Sequence, residues 1–203
     1  MTAAVATRKY TDEEYLKLEE DSEVRHEFRN GEIVEMTGGT PEHNEISSDF
    51  LLLLKLALRK KPYSVFITDQ RLWIPAANKH TYPDVMLTPR PPLLKPGRKD
   101  TVMNPILIAE VLSTSTEAYD RAQKFAHYRT IETFQEYLLI DQYQPHVDRY
   151  VRQAENQWLF TEYSGLDACF TLSTVEVEVR LADLYESINF ESVSASSDDS
   201  DGN

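Results

Sequence analysis

Cysteine and long apolar runs are almost absent from this 203-residue sequence. Its single cysteine, Cys169, can form neither an intramolecular disulfide nor a cysteine cluster for zinc, which favours a reducing cytoplasm. The longest apolar stretch, at residues 51–58, is interrupted by Lys55 and is far shorter than the about 20 residues of a membrane span. Residues 1–10 lack the apolar run of a secretory signal. We therefore expect a cytoplasmic protein that is not inserted in a membrane.

Basic residues are also scarce relative to acidic ones. The sequence has 21 Lys and Arg against 34 Asp and Glu, and this net charge of -13 excludes binding to nucleic acid by overall charge alone. Residues 191–203, ESVSASSDDSDGN, contain four of the acids, no basic residue and almost nothing apolar, so we predict a disordered acidic tail. Residues 1–190, predicted to form a single domain, keep a net charge of -9. Any phosphate-binding surface on this domain has to be local.

Capping residues and hydrophobic spacing predict helices and strands in mixed order. Thr11 and Thr40 stand at the positions that cap helix starts, and Asn30-Gly31 predicts a hairpin turn. The predicted helices cover residues 11–20, 40–61, 115–129 and 182–185, and the predicted strands cover the hairpin 27–37, then 63–73, 84–88, 106–112, 137–140, 147–151, 158–163 and 175–179. This order indicates an α/β or α+β domain with a mixed central β-sheet.

Two carboxylates stand on predicted apolar strands. Asp84 follows Pro83 at the entry of its strand, where ordinary turn chemistry also explains it. Glu110 lies within the otherwise apolar run 106–112, where a charge is unfavourable unless it forms a buried salt bridge or binds a metal. If the strands are neighbours, the two acids can bind one Mg²⁺, with the backbone carbonyl of Val111 as a third ligand. Such a site can activate water for attack on a phosphodiester.

A polar stripe follows Glu110 on the next predicted helix. Asp120, Lys124 and Tyr128 are spaced four residues apart, so their side chains share one face. An exposed pair between Asp120 and Lys124, worth about 0.5 kcal/mol, is one interpretation. In the other interpretation, the Lys124 ammonium points at the two carboxylates, where it can orient the attacking water or stabilise charge on the phosphate. The spacing alone does not choose between them.

The order of these residues carries a resemblance to a known family. The matching pieces are Tyr15, Glu27, residues 30–36, residues 40–44, Pro83-Asp84, residues 108–116, Asp120-Arg121, Lys124, Tyr128 and Glu136-Tyr137. Over residues 10–184, the sequence resembles the Uma-type family of restriction endonucleases, a bacterial branch of the PD-(D/E)XK nuclease superfamily. Each short motif is common, and their combination in this order is specific.

The resemblance implies a restriction-endonuclease-like core, with a mixed sheet flanked by helices, and a site that cleaves DNA phosphodiester bonds with Mg²⁺ (or Mn²⁺). It identifies Asp84 as the aspartate of the PD element and Glu110 as the acid of the (D/E)XK element. The lysine of the superfamily normally stands two residues after this acid, where the present sequence has Leu112. The resemblance transfers its role to Lys124 on the following helix.

Two further residues are candidates for the same cleft. The resemblance implies that Glu27 can approach the metal, although Glu27 can equally pair with Arg25 or Arg29. His43 lies in the first turn of its predicted helix, where the helix dipole favours a neutral imidazole that can contact a water on the metal or the phosphate. The other histidines are interpreted as solvent-facing or packing residues: His26, His80, His127 and His146.

Basic side chains that could contact a DNA backbone are concentrated in two segments. The acid-free loop 88–99, between the strands of Asp84 and Glu110, contains Arg90, Lys95, Arg98 and Lys99. A solvated loop without DNA contact is the alternative. A second cluster, Lys55 and residues 59–61, is explained by a favourable interaction with the end of its helix.

The leading hypothesis is a Mg²⁺-dependent endonuclease that acts on DNA through Asp84, Glu110 and Lys124. The alternative is a catalytically silent nuclease-like domain that binds nucleic acid or a partner protein, which the acidic composition and the displaced lysine favour. A homodimer is expected only by analogy, because restriction-like nucleases often pair to cut two strands.

Overall fold

The computed structural model describes residues 8–190, so the tail predicted for residues 191–203 lies outside the described residues. The helices are α1 Asp12–Asp21, α2 Pro41–Ala57, α3 Glu117–Tyr119, α4 Phe125–Tyr128 and α5 Leu181–Leu184, with a π-helical turn at Asp120–Lys124 between α3 and α4. The strands are β1 His26–Arg29, β2 Glu32–Glu35, β3 Tyr63–Ile67, β4 Arg71–Ile74, β5 Lys79–Thr81, β6 Val85–Pro89, β7 Thr101–Val102, β8 Leu107–Leu112, β9 Glu136–Asp141, β10 His146–Ala154, β11 Gln157–Ser164, β12 Cys169–Leu172 and β13 Val177–Arg180.

The central sheet is mixed and has six strands in the order β11-β10-β9-β8-β6-β3. Strands β8 and β9 are parallel, and all its other neighbours are antiparallel. A second sheet has the order β2-β1-β5-β4-β7, and β12 pairs with β13 in a separate hairpin. The prediction of a mixed sheet with flanking helices is confirmed.

Both faces of the sheet are covered at its middle strands, which explains why β8 is apolar except for Glu110. On one face, Phe50 and Leu54 of α2 pack in one buried cluster with Ala109 of β8. On the other face, Tyr128 of α4 packs in a second cluster with Ile108 and Leu112 of the same strand. Because side chains alternate along a strand, Glu110 points to the face of Tyr128.

A positive φ changes two of the predicted elements in the structure. Helix α2 stops at Ala57 instead of residue 61, because Lys60 adopts a positive φ of 66° and Pro62 disfavours helical backbone before it. The single strand predicted for residues 63–73 is two strands in different sheets, β3 and β4, separated by a turn at Thr68, whose φ is 27°. The four polar residues 68–71 separate two apolar runs, and the prediction of one continuous strand overlooked this break.

No helix within residues 8–190 is both long enough and apolar enough to cross a membrane.

Candidate active site

Asp84 and Glu110 lie side by side because β6 and β8 are antiparallel neighbours. Val85 pairs with Ala109, which places Asp84, immediately before β6, opposite Glu110. The Asp84 N–H lies 3.4 Å from Glu110 Oε2. Asp84 Oδ2 in turn accepts a 2.8 Å hydrogen bond from the Val111 N–H. Strand pairing therefore brings together the two acids that the sequence places 26 residues apart.

Lys124 reaches this pair from the π-helical turn. Its Nζ lies 3.1 Å from Glu110 Oε2 and 2.8 Å from Asp120 Oδ1, and 12% of the side chain is exposed. The Asp120–Lys124 pair expected from the spacing is thus present, but it is buried and shared with Glu110. π-Turns widen a helix locally and are frequent at functional sites.

Tyr128 and Asp120 hold Glu110 and Lys124 in place. The Tyr128 hydroxyl donates a 2.6 Å hydrogen bond to Glu110 Oε1. Asp120 is buried, and its backbone carbonyl accepts a 3.1 Å hydrogen bond from the Tyr137 hydroxyl. The first contact orients the Glu110 carboxyl group. The second fixes the backbone of Asp120, whose side chain pairs with Lys124.

Glu27 lies in β1 next to this cluster and forms ion pairs of its own. Its Oε2 accepts a 2.7 Å hydrogen bond from Arg29, and Thr81 donates a hydrogen bond to its other oxygen. Pairing with Arg29 was one of the alternatives from the sequence, whereas Arg25 instead lies 3.5 Å from Asp69. Burial would raise the pKa of Glu27, but the charges of Lys79 and Lys124 hold it below its usual value.

Lys79 is a site residue that the sequence did not indicate. Its Nζ lies 3.5 Å from Glu27 Oε2 and contacts the Tyr119 hydroxyl, and its side chain is 1% exposed. Burial lowers the pKa of Lys79 to about 8. Its strand, β5, has only three residues and no apolar alternation, so no periodic signal marked it as buried.

His43 contacts the Asp84 carboxylate directly. Its Nε2 lies 3.1 Å from Asp84 Oδ2, and its backbone N–H donates to the Thr40 hydroxyl that caps α2. Burial alone would lower the pKa of His43, but the hydrogen bond to Asp84 raises it. The neutral imidazole expected from the helix dipole is therefore opposed by Asp84, which favours the imidazolium.

The pKa values of the two acids move in opposite directions. Burial raises the pKa of Glu110 to about 8, because Lys124 compensates its charge only in part and Asp84 opposes it. Burial would also raise the pKa of Asp84, but His43 and Lys124 hold it below its usual value. The cluster thus contains a buried carboxyl group that lacks a full counter-charge, and the oxygen donors of Asp84 and Glu110 fit a hard divalent cation.

Comparison with known proteins identifies the family of this chain. The model of the Uma2 family, described as "Putative restriction endonuclease", matches residues 12–182. The chain belongs to the Uma2 family. Two Synechocystis sp. proteins, both described as uncharacterized, are 40% identical over 177 residues (87% of this chain, 100% of the relative) and 32% identical over 184 residues (90% and 94%).

A solved structure also resembles this Uma2 chain. The crystal structure of "a putative nuclease belonging to DUF820" from Anabaena variabilis superposes with a TM-score of 0.70 at 18% identity, covering 87% of this chain and 98% of that one. At this identity the likeness concerns the fold, and it confirms the restriction-endonuclease-like architecture. The family, described as "Putative restriction endonuclease", indicates a nuclease.

Two of the four basic residues proposed to contact DNA are already paired with acids. Lys95 binds Asp12 of α1, and its Nζ lies 4.0 Å from the centre of the Trp73 ring. Arg98 lies 2.6 Å from Glu20, also on α1, and 2.7 Å from Asp100. In the Uma2 protein the loop is therefore fastened to α1, and the two exposed members of the set are Arg90 and Lys99.

Another group of potential metal ligands lies on β10 and β11. His146, Asp148 and Glu162 have ligand atoms within 4.8 Å of one another, and they are the one such group of three within residues 8–190. Asp148 is also paired with Arg121, which already supplies a counter-charge. The ligand atoms of His43, Asp84 and Glu110 are not all within 4.8 Å of one another. A cation bound by all three residues would therefore have to draw them closer.

Metal-free stability provides a test of the raised pKa of Glu110. Between about pH 4.5 and about pH 8, the folded protein keeps the Glu110 proton whereas the unfolded chain releases it. The folded state then binds more protons, so the free energy of unfolding falls as the pH rises, by up to about 1.4 kcal/mol per pH unit. In EDTA, urea unfolding should show the wild type losing stability relative to Glu110→Gln across this window. A difference that does not change with pH would contradict the shift.

Proposed function

We propose that this Uma2 protein is a Mg²⁺-dependent (or Mn²⁺-dependent) endonuclease that hydrolyses DNA phosphodiester bonds. The observation that carries the proposal is the position of the Lys124 ammonium, 3.1 Å from Glu110 Oε2 in a cluster that also contains Asp84. Two carboxylates with an adjacent ammonium match the needs of phosphodiester hydrolysis, which requires a cation site and stabilisation of developing negative charge.

Asp84 and Glu110 would hold the cation, and we retain the Val111 backbone carbonyl as a third ligand. When bound, the metal lowers the pKa of a water and neutralises charge on the phosphate. Glu110 has to release its proton before it can act as a ligand, so cation binding is expected to strengthen as the pH rises toward about 8. Tyr128 orients Glu110 by its 2.6 Å hydrogen bond.

Lys124 is proposed to orient the attacking water and to stabilise the charge on the scissile phosphate. Burial lowers the pKa of a lysine, but Glu110, Asp120 and Glu27 raise that of Lys124 well above its usual value. Lys124 therefore stays an ammonium and acts as a fixed positive charge rather than as a base. Asp120 positions it through the 2.8 Å contact.

A cavity beside Lys124 is a candidate entry for the DNA strand. It has a volume of about 140 Å³, and Glu27, Arg29, Tyr119 and Lys124 are among its lining residues. A larger cavity, of about 570 Å³, is lined by other residues, among them Arg129 and Trp158, and contains none of the proposed catalytic groups. We therefore assign the substrate to the smaller one, with Arg90 and Lys99 as further backbone contacts. Two copies of the chain would be needed to cut both strands together.

Plasmid cleavage tests the proposal. Supercoiled DNA incubated with the purified protein is expected to be nicked or linearised with Mg²⁺ or Mn²⁺, and to stay intact with EDTA. Because only a few phosphate contacts are proposed, DNA binding should weaken only modestly with added salt, and the net charge of -13 gives no attraction of its own. Intact plasmid with both metals, together with metal-independent retention of DNA in a gel-shift assay, would favour the catalytically silent nucleic-acid-binding alternative instead.

A further inference from the structure

His43 points its Nε2 atom at the carboxylate that is proposed to bind the metal. The distance from Nε2 to Asp84 Oδ2 is 3.1 Å, and 14% of the His43 side chain is exposed. The other ring nitrogen, Nδ1, is buried and has no hydrogen-bond partner within residues 8–190. The polar contact that orients the imidazole is therefore the one with Asp84.

The chain also leaves space for this ring orientation at Gly39. A Cβ atom added to Gly39 would lie 2.8 Å from His43 Nδ1 and 3.0 Å from His43 Cγ, closer than side chains pack. Thr40, which follows Gly39, caps α2 by accepting the His43 N–H at 3.2 Å. Gly39 thus leaves room for the imidazole in its observed position, and the Thr40 cap fixes the backbone of His43 at the start of α2.

We infer that His43 is a nitrogen ligand of the cation bound by Asp84 and Glu110, and that this site prefers transition-metal dications to Mg²⁺. This inference rests on the proposed function. Mg²⁺ is bound almost entirely by oxygen, whereas imidazole nitrogen favours transition metals. For a given nitrogen-containing site, affinity rises from Mn²⁺ to Co²⁺. His43 should therefore contribute most to Co²⁺ binding, less to Mn²⁺ binding and least to Mg²⁺ binding.

The alternative is that His43 only positions Asp84 through a hydrogen bond. In that case the loss of His43 would weaken the binding of all three cations by the same factor. Selectivity among the cations therefore separates a ligand from a positioning residue, and it can be measured without DNA or turnover.

Isothermal titration calorimetry with Mg²⁺, Mn²⁺ and Co²⁺ tests the inference on the full chain. For His43→Gln, the Kd for Co²⁺ is expected to rise at least about tenfold, the scale at which supporting residues of metal sites act, while the Kd for Mg²⁺ changes by less than about threefold. Gly39→Ala should displace the ring and shift the same ratio in the same direction. An equal loss for all three cations would overturn the inference.

Spectroscopy of bound Mn²⁺ gives a second readout. Electron–nuclear double resonance should detect a ¹⁴N coupling in the wild type that is absent in His43→Gln. The matched control is His146→Gln, because His146 belongs to the other candidate cluster. This variant should keep both the coupling and the selectivity, and loss of either one in His146→Gln alone would overturn the assignment to His43.

Asp84→Asn separates this inference from the proposed function. If Asp84→Asn abolishes binding of all three cations while His43→Gln weakens them equally, His43 is not a ligand and the metal site stands. If Asp84→Asn leaves cation binding unchanged, the site itself is wrong and the proposed function fails with it. Thermal unfolding of each variant checks that it is folded before it is titrated.

Discussion

Asp84→Asn protein is expected to lose metal-dependent DNA cleavage by at least about 10³-fold, because a bound cation supplies several kcal/mol of transition-state stabilisation and each 1.4 kcal/mol is worth a factor of ten. The change is isosteric, so the asparagine side-chain oxygen can still accept the 2.8 Å hydrogen bond from the Val111 N–H. Loss of the charge alone is therefore tested. Rates of plasmid nicking under single-turnover conditions measure the effect.

The matched control for Asp84→Asn is Asp69→Asn. Asp69 is an exposed aspartate in the turn before β4, and its side chain is 83% exposed. This control should cleave DNA at the wild-type rate. Full activity of folded Asp84→Asn would remove Asp84 from the mechanism, and equal losses in both variants would indicate an effect of surface charge.

Lys124→Met is expected to reduce cleavage by about 10²-fold to 10³-fold, the range found when one charge-stabilising group is removed from an active site. It should also lower the free energy of unfolding by about 3–5 kcal/mol, because Asp120 would be left buried without its counter-charge. Urea unfolding and single-turnover cleavage, both at a temperature where the variant is folded, measure the two effects.

Lys17→Met is the control for Lys124→Met, since Lys17 is exposed on α1. This control should leave both the rate of cleavage and the free energy of unfolding close to their wild-type values. A Lys124→Met protein that is destabilised but cleaves DNA normally would assign Lys124 to folding alone. Normal stability together with normal cleavage would contradict both roles.

Local signals in the sequence predicted the starts of the first two long helices. Thr11 caps α1 and forms a capping box with Glu14, and Thr40 caps α2 just before Pro41. These contacts involve residues three positions apart or fewer, so a single segment contains all the information. The end of α2 and the turn at Thr68 depend on positive φ values, for which Lys60 and Thr68 give no residue signal.

The candidate site depends on strand order, which a single sequence does not contain. The residues Asp84, Glu110 and Lys124 were identified from a buried charge and a family resemblance. Their contacts require β6 to lie next to β8, with Lys124 reaching Glu110 from the π-helical turn Asp120–Lys124.

The long-range ion pairs could not be predicted from the sequence, because they also depend on which elements lie next to each other in the fold. Lys79 meets Glu27 because β5 pairs with β1, and this pairing joins residues about 50 positions apart. Lys95 meets Asp12 of α1 across 83 positions. The loop contains four basic residues and no acid, so its sequence suggests a DNA-binding segment. The structure shows that two of these residues, Lys95 and Arg98, pair with acids of α1.

Anomalous diffraction from crystals soaked with Mn²⁺ tests most directly whether Asp84 and Glu110 hold a divalent cation. We predict an anomalous peak for a Mn²⁺ ion within bonding distance of carboxylate oxygens of both residues. This peak should be absent from Asp84→Asn crystals treated in the same way. A peak found only among His146, Asp148 and Glu162, or no peak beside Asp84 at saturating Mn²⁺, would contradict the proposed metal site.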